Sequence, residues 1–440
     1  MSSEPPDLFS RAFKADPFPT FAALRRERPI YPHAAPDGRT IWYVTRYDDV
    51  AAVLRDDEAF CKDPGNVGRG AGEQGSGGAS GKWQVAGGRA QTTSISKVEN
   101  AISPAPLLPR SPAPPHASLA RRINANMLFS DPPDHTRLRA LVSQAFTPRR
   151  IAAMGERIQQ TADALLDRMA AEGETDLIAA YALPLPVVVI CDMLGIPPAD
   201  RDAVSEGSQA IISPGSRGLT YSARKRKVRA FIHYLGDLFA QRQADPRDDL
   251  ITALVQAEEA GDRLSEAELS SMVALLLVTG HETTVNLIGN GALALLRHPG
   301  QRERLRDDPA LWPAAVEELL RYDGPVETST SRWVRRDVVW GGQTMHRGDL
   351  MRAVITAANR DPAHFARPDE LDVGRRENRH LAFGLGAHYC LGAPLARLEG
   401  VIALETLFRR RPGLALGAPP EALAWRSGVL FRGLRQLPVV

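Results

Sequence analysis

Ten residues, FGLGAHYCLG from Phe383 to Gly392, combine three glycines, an aromatic ring, a histidine and one of the chain's three cysteines. Glycines at 384, 386 and 392 let backbone pass close to a bulky group, or turn through positive φ, at little steric cost. A helix is expected to begin soon after Cys390, and the free amides and positive dipole end of a helix N-terminus favour thiolate over thiol. A thiolate with N–H groups pointing at it suits the axial position of haem iron. Taken alone, such a cysteine is more often an inert buried thiol, and the glycine pattern shifts that balance.

A second constellation, TGHETT from Thr279 to Thr284, places glycine, acid and hydroxyls inside an apolar helical run. Such groups cost stability there unless they have partners or a purpose, and a polar side meeting water is the plain alternative. A zinc-protease H-E-x-x-H is excluded because position 285 is Val285. Two further pairs sit at helical spacing. Glu318 and Arg321 are three apart, and His135 and Arg139 are four apart, so each pair shares one helix face.

The elements that must position these groups are mostly helical. RLRALVSQAF, MGERIQQTADALLDRMAAE, SARKRKVRAFIHYLGDLFAQRQ and DDLITALVQAEEA repeat apolar residues at three and four. SEAELSSMVALLLVTGHETTVNLIGNGALALLRHPG opens on a Ser265/Glu268 capping box and closes before Pro299-Gly300, predicting one buried helix of up to about 33 residues and roughly 50 Å. Asp37-Gly38 between IYPHAAP and TIWYVTRY predicts a small hairpin sheet, followed by a helix at YDDVAAVLRD. Short strands are expected around RWVRRDVVW and LMRAVITAA, and another helix at APLARLEGVIALETLFRR. Ten glycines among residues 65–88 and six prolines among 104–115 mark a flexible surface insertion over 63–116 that splits one domain, because the hairpin before it is too small for its own core.

The 440 residues are 43% hydrophobic and 24% charged, enough for a large core, and the formal charge is only +2. No global field marks a nucleic-acid or polybasic membrane protein. The start lacks a secretory h-region, and ALPLPVVVICDML and MVALLLVTG are too short to span a bilayer, so a cytoplasmic protein without membrane or nucleic-acid partners is expected. Cys61, Cys191 and Cys390 are widely spaced and contain no C-x-x-C, which argues against a disulfide framework and a structural zinc site.

The run F-G-x-G-x-H-x-C-x-G, present at all six defined positions, resembles the haem-binding loop of the cytochrome P-450 superfamily, the haem-thiolate monooxygenases. Ala393 to Arg397 is similar to the helix start of bacterial soluble members. The resemblance covers residues 8–440 apart from the insertion. It implies a mainly α fold with small β-sheets, a single triangular domain with a long central helix. The cofactor implied is heme b, iron protoporphyrin IX, with Cys390 as metal ligand, Phe383 packed by the sulfur, Gly392 passing beneath the macrocycle, and His388 near a propionate. His135, Arg139 and Arg332 match the family's remaining propionate positions.

TGHETT looks like the family's [A/G]-G-x-[D/E]-T element. It implies catalytic roles for Gly280, which leaves room for oxygen, Thr283, which donates a hydrogen bond to bound dioxygen, and Glu282, which connects the site to solvent protons. Thr279 stands where the family has a small apolar residue, adding bulk or a hydroxyl to the pocket. Glu318, Arg321 and Arg375 match the family's structural Glu-Arg-Arg cluster. By family position the substrate pocket draws on Leu275, Val278, Thr279, Val326 to Ser331, and Gly428 to Leu430, with Val429 among them; this lining suits an apolar small molecule with a few polar anchors. The insertion falls where the family carries a substrate-covering loop, and both a lid and plain disorder stay open.

The activity implied is insertion of one oxygen atom from O2 by hydroxylation or epoxidation, with electrons from NAD(P)H through a separate ferredoxin and ferredoxin reductase. The enzyme is expected to be a monomer. Arg149, Arg150, Arg397 and Arg409 to Arg411 form a candidate docking patch for an acidic donor. A peroxide-driven peroxygenase and a non-catalytic haem-binding or gas-sensing module are the alternative readings.

Overall fold

The capping box read at Ser265 closes as expected. In the computed structural model of the chain, which describes residues 6–35, 38–68, 125–170, 174–212, 220–259 and 261–440, Ser265 Oγ accepts from the Glu268 amide and Glu268 Oε2 accepts from the Ser265 amide at 2.8 Å. The helix then runs Glu266–Arg297, 32 residues, and ends at His298 just before Pro299. At 1.5 Å per residue it is about 48 Å long.

Nearly all of this helix from Leu269 to Leu295 is buried. It packs against the helices Pro184–Leu194, Trp312–Asp323 and Ala393–Arg410. The apolar side chains they share, such as Ile190, Leu277, Leu287, Leu319 and Leu404, belong to one continuous core. Each fully buried aliphatic side chain contributes roughly 1.5–3 kcal/mol, so this seam holds the centre of the molecule in place. By length and composition Glu266–Arg297 is long enough to cross a membrane, which the two shorter apolar stretches read from the sequence are not. Its apolar window is 78% buried by the chain's own side chains, which makes it a core helix.

The hairpin forms too. Strands Ile30–Ala34 and Thr40–Val44 pair antiparallel with Ile30 opposite Val44. They extend into a five-stranded sheet in which Leu350–Ala353 lies parallel to Thr40–Val44, Arg332–Val334 comes next, and Phe60–Cys61 forms the far edge. That edge register, Phe60 opposite Val334 and Cys61 opposite Trp333, joins residues some 270 apart in sequence. The helix Tyr47–Arg55 follows the hairpin as expected.

A buried ion pair fastens the N-terminal helix Arg11–Ala15 to the chain after Trp312–Asp323: Lys14 Nζ lies 2.7 Å from Glu327, with both side chains under 10% exposed. Arg432 reinforces the junction by donating to the Lys14 carbonyl at 2.7 Å and pairing with Asp323. The insertion expected over 63–116 falls outside the described residues except for its first six, 63–68.

Candidate active site

The cysteine loop takes the turns its glycines allow. Gly384 and Gly386 have φ of +70° and +73°. A side chain at Gly386 would also meet the Leu54 carbonyl oxygen at 2.9 Å, so only glycine lets the loop lie against the helix Tyr47–Arg55. The Cys390 amide donates to the Phe383 carbonyl at 3.0 Å, closing the loop, and the helix Ala393–Arg410 starts directly after Gly392. Gly392 has an ordinary φ of −80°, and a side chain there would meet nothing within 4 Å. Its role is the open space it leaves beside the sulfur.

The three cysteines separate clearly. Cys61 lies on the edge strand and Cys191 in the core, and burial pushes their thiols up to about 12 and about 11. Only Cys390 opens onto the large cavity between the long helix and the cysteine loop, a space of about 300 Å³. Burial raises its pKa as well. The amides of Gly392 and Ala393 and the guanidiniums of Arg139 and Arg397 work the other way. The helix N-terminus favours the thiolate, as expected from the sequence, while burial opposes it, and a bound metal cation deprotonates a coordinating thiol outright.

Opposite the sulfur, Leu275, Leu276, Thr279, Gly280, Thr283, Thr284 and Leu287 of the long helix form one stripe on the cavity. Thr283 Oγ1 donates to the Thr279 carbonyl at 2.8 Å, and Thr279 Oγ1 to the Leu275 carbonyl at 2.7 Å. The Thr283 hydroxyl proton thus rests on the Thr279 carbonyl, leaving the oxygen lone pairs available toward the cavity. A side chain at Gly280 would meet Ile190 at 3.2 Å, so this glycine also admits the neighbouring helix.

Three residues of the predicted set, Val278, Glu282 and Val429, lie off the cavity. Val278 is buried, but at 100° per residue it points about 150° from the centre of the stripe, into the core. Glu282 also lies to one side, where it forms an ion pair with Arg426. The Glu282 side chain is 19% exposed, so it sits between the helix and solvent. In the extended chain near the C-terminus Val429 offers its carbonyl to Thr328 Oγ1 at 2.8 Å, whereas Leu430 and Phe431 line the cavity with Val326, Ser329 and Thr330.

The expected propionate residues converge. His135, Arg139, Arg332 and His388 all line the cavity, and the rings of His135 and His388 stand 4.2 Å apart. Burial, then Lys62, His135, Arg332 and Arg139, hold His388 down to about 2. His135 Nε2, His388 Nε2 and Arg332 Nε are buried without a hydrogen-bond partner. Unpartnered donors are costly when buried, and a wall of them fits a dianionic group such as the two propionates of haem b. The sulfur on one face, the glycine gap and this wall together suit iron protoporphyrin IX.

The Glu-Arg-Arg cluster forms as read. Glu318 Oε2 accepts from Arg321 Nε at 2.7 Å and from Arg375 Nε at 3.0 Å, and the Glu318 and Arg321 side chains have no exposed surface. Next to it, Glu317 pairs with Arg397 at 2.7 Å and His380 at 3.2 Å, tying the helix Trp312–Asp323 to the helix that follows Cys390.

Comparison with known proteins identifies the family and the fold. The family model described as "Cytochrome P450" matches residues 218–410. Cytochrome P450 107B1 of Saccharopolyspora erythraea is 40% identical over all of this chain and 98% of its own length. The chain belongs to the cytochrome P450 family. Polyketide biosynthesis cytochrome P450 PksS of Bacillus subtilis is likewise 40% identical, over 98% of this chain and 96% of its own, and its solved structure superposes with a TM-score of 0.82 over 98% of both chains. A myxobacterial P450, CYP267B1, solved in complex with myristic acid, matches with a TM-score of 0.82 at 37% identity over 98% of both chains. The protein is accordingly a haem b oxidoreductase of the P450 monooxygenase type, using O2 and redox partners.

Several residues were not visible in the sequence. Arg426 is 144 residues from Glu282, and no local spacing links them. Lys62, beside the edge strand, and Glu399, on the helix after Cys390, both line the cavity while almost fully buried. A buried lysine next to an apolar strand pair is a local oddity that sequence reading can flag but not place. The docking patch is thinner than expected: Arg150 pairs with Asp248, Arg397 with Glu317, and Arg410 with Asp163 and Asp167. Arg149 and Arg409 are exposed without a carboxylate partner among the described residues.

Proposed function

We propose that this P450 hydroxylates or epoxidises an apolar small molecule of the polyketide or fatty-acyl class, with electrons from NAD(P)H delivered through a ferredoxin and its reductase. The observation that carries it is one cavity with Cys390 on one wall and the Gly280–Thr283 stripe on the other, enclosed by Leu275, Val326, Leu430 and Phe431. The class of substrate rests on PksS, named for polyketide biosynthesis, and on CYP267B1, bound to myristic acid.

Haem, when bound, supplies oxygen activation and the transfer of an oxygen atom to carbon. The chain supplies the rest. Cys390 would hold the iron as thiolate, with the Gly392 and Ala393 amides directed at its sulfur. The apolar wall excludes water and orients substrate, while the hydroxyls of Ser329 and Thr330 give it polar anchors. Thr283 Oγ1, its own proton resting on the Thr279 carbonyl, would accept a hydrogen bond from the cavity side and so hold a proton at that oxygen. Glu282 carries protons inward at its carboxylate, and Arg426 holds that carboxylate on the solvent side until it turns.

Reduced protein under carbon monoxide should show the long-wavelength Soret band of thiolate-ligated haem, and Cys390→Ser should lose it. Polyketide lactones and long-chain fatty acids, screened by spectral shift of the ferric enzyme, should yield oxygenated product with NADH, ferredoxin and reductase. Turnover with hydrogen peroxide alone would instead favour the peroxygenase reading, and absence of any product the sensor reading.

The donor is expected to dock where Arg149 and Arg409 stand exposed. Arg149→Glu combined with Arg409→Glu should slow ferredoxin-supported haem reduction about tenfold at low salt and leave haem content unchanged. Equal stopped-flow rates at low ionic strength would remove this surface from the docking site.

A further inference from the structure

Lys62 is a lysine almost wholly withdrawn from water, 6% exposed, at the rim of the haem cavity. Among the described residues its ammonium meets Thr330 alone, at the hydroxyl and at the carbonyl (3.4 Å). No carboxylate lies within ion-pair distance of it among the described residues. The nearby acid, Asp131, is already engaged by the amides of Lys62 and Asp63 and the side chain of Asn66.

The sheet makes the placement sharper. Continuing the antiparallel register Phe60–Val334, Cys61–Trp333 sets Lys62 directly across from Arg332. Two like charges facing each other across strands destabilise a sheet, more so when buried, unless an anion lies between or beside them. Arg332 has Asp57 at 3.2 Å. Among the described residues Lys62 has no such partner, and neither has Arg139, whose one favourable charge interaction there is with Cys390. Two unneutralised cations therefore face a cavity whose cofactor carries two carboxylates.

We propose that Lys62 is a haem-propionate ligand, and that Lys62 and Arg139 neutralise the two propionates while Arg332, His135 and His388 add hydrogen bonds. Burial holds the Lys62 pKa well down, opposed by Asp131 and Asp57, so the ammonium depends on an added anion for its charge. Propionate binding thus stabilises the edge strand as well as the cofactor. The inference rests on haem b occupying this cavity, and the carbon monoxide spectrum of the unaltered protein tests that separately.

The test uses holoenzyme and three variants, Lys62→Met, Lys62→Gln and Lys62→Arg. Transfer of haem to apomyoglobin should be about tenfold faster in Lys62→Met and Lys62→Gln, equal to ~1.4 kcal/mol, and close to wild type in Lys62→Arg. The propionate bending bands in resonance Raman should shift in the same two variants. The ferric/ferrous potential should fall in them, because losing a nearby cation favours the ferric state. A structural role alone would lower thermal stability in all three without moving the Raman bands. If haem transfer, bands and potential are unchanged while binding of myristic acid weakens relative to its methyl ester, Lys62 serves a substrate carboxylate and the proposal is overturned. No change in any readout overturns it as well.

Discussion

Glu318→Gln is expected to give protein with little haem and a stability lower by about 3 to 5 kcal/mol. The reason is the number of groups that depend on one carboxylate. Glu318 accepts from Arg321 through both oxygens, from Arg375, from Asn378 at 3.2 Å and from the Asp372 amide at 2.9 Å. Glutamine keeps the volume but removes the charge, and it places an NH2 group where an acceptor stood. Arg321 would then be a fully buried cation resting only on the carbonyls of Asn359, Pro368 and Glu370. Arg375 would keep only carbonyls as well, including Ala366 at 2.8 Å. Those carbonyls belong to the segment leading into Phe383, so the segment and the cysteine loop loosen together. Differential scanning calorimetry and haem content per chain check this. Wild-type values in both would show that the cluster does not hold the loop.

Thr283→Ala should separate electron consumption from product formation. With the acceptor at Oγ1 gone, product per NAD(P)H is expected to fall about 100-fold, the lower end of the range for losing a positioned proton-handling group. NAD(P)H oxidation continues, and the missing electrons appear as hydrogen peroxide. Thr283→Ser retains the hydroxyl and its bond to the Thr279 carbonyl and should restore most of the coupling. Parallel assays of product, NAD(P)H and peroxide decide it, with haem content and the carbon monoxide spectrum as controls. Unchanged coupling in Thr283→Ala would mean that protons at this site are held by other groups.

What could be read from the sequence follows how local each feature is. The capping box, the glycine loop, the E-x-x-R pair and the hairpin depend on residues a few positions apart, where covalent geometry fixes who meets whom. Pairs set by tertiary packing were invisible. Arg426 meets Glu282 because the C-terminal chain folds back along the long helix, and Lys62 faces Arg332 through strand pairing. Val278 was misplaced for a different reason. Family position put it in the pocket, but counting 100° per residue from Thr283 would have turned it into the core. Thr283 lies on the cavity as expected, but the resting bond of its hydroxyl to the Thr279 carbonyl one turn earlier could not be read from spacing. The elevated thiol of Cys390 likewise depends on how deeply tertiary packing encloses the sulfur.

The Lys14–Glu327 pair has a practical meaning for anyone handling this enzyme. Glu327 sits between Val326 and Thr328, in the stretch that also supplies Ser329 and Thr330 to the cavity, and its counter-charge comes from the first helix of the chain. Trimming the leading residues past Lys14 to improve expression would strand a buried carboxylate directly behind that wall. Truncations through this helix would therefore alter the shape offered to substrate.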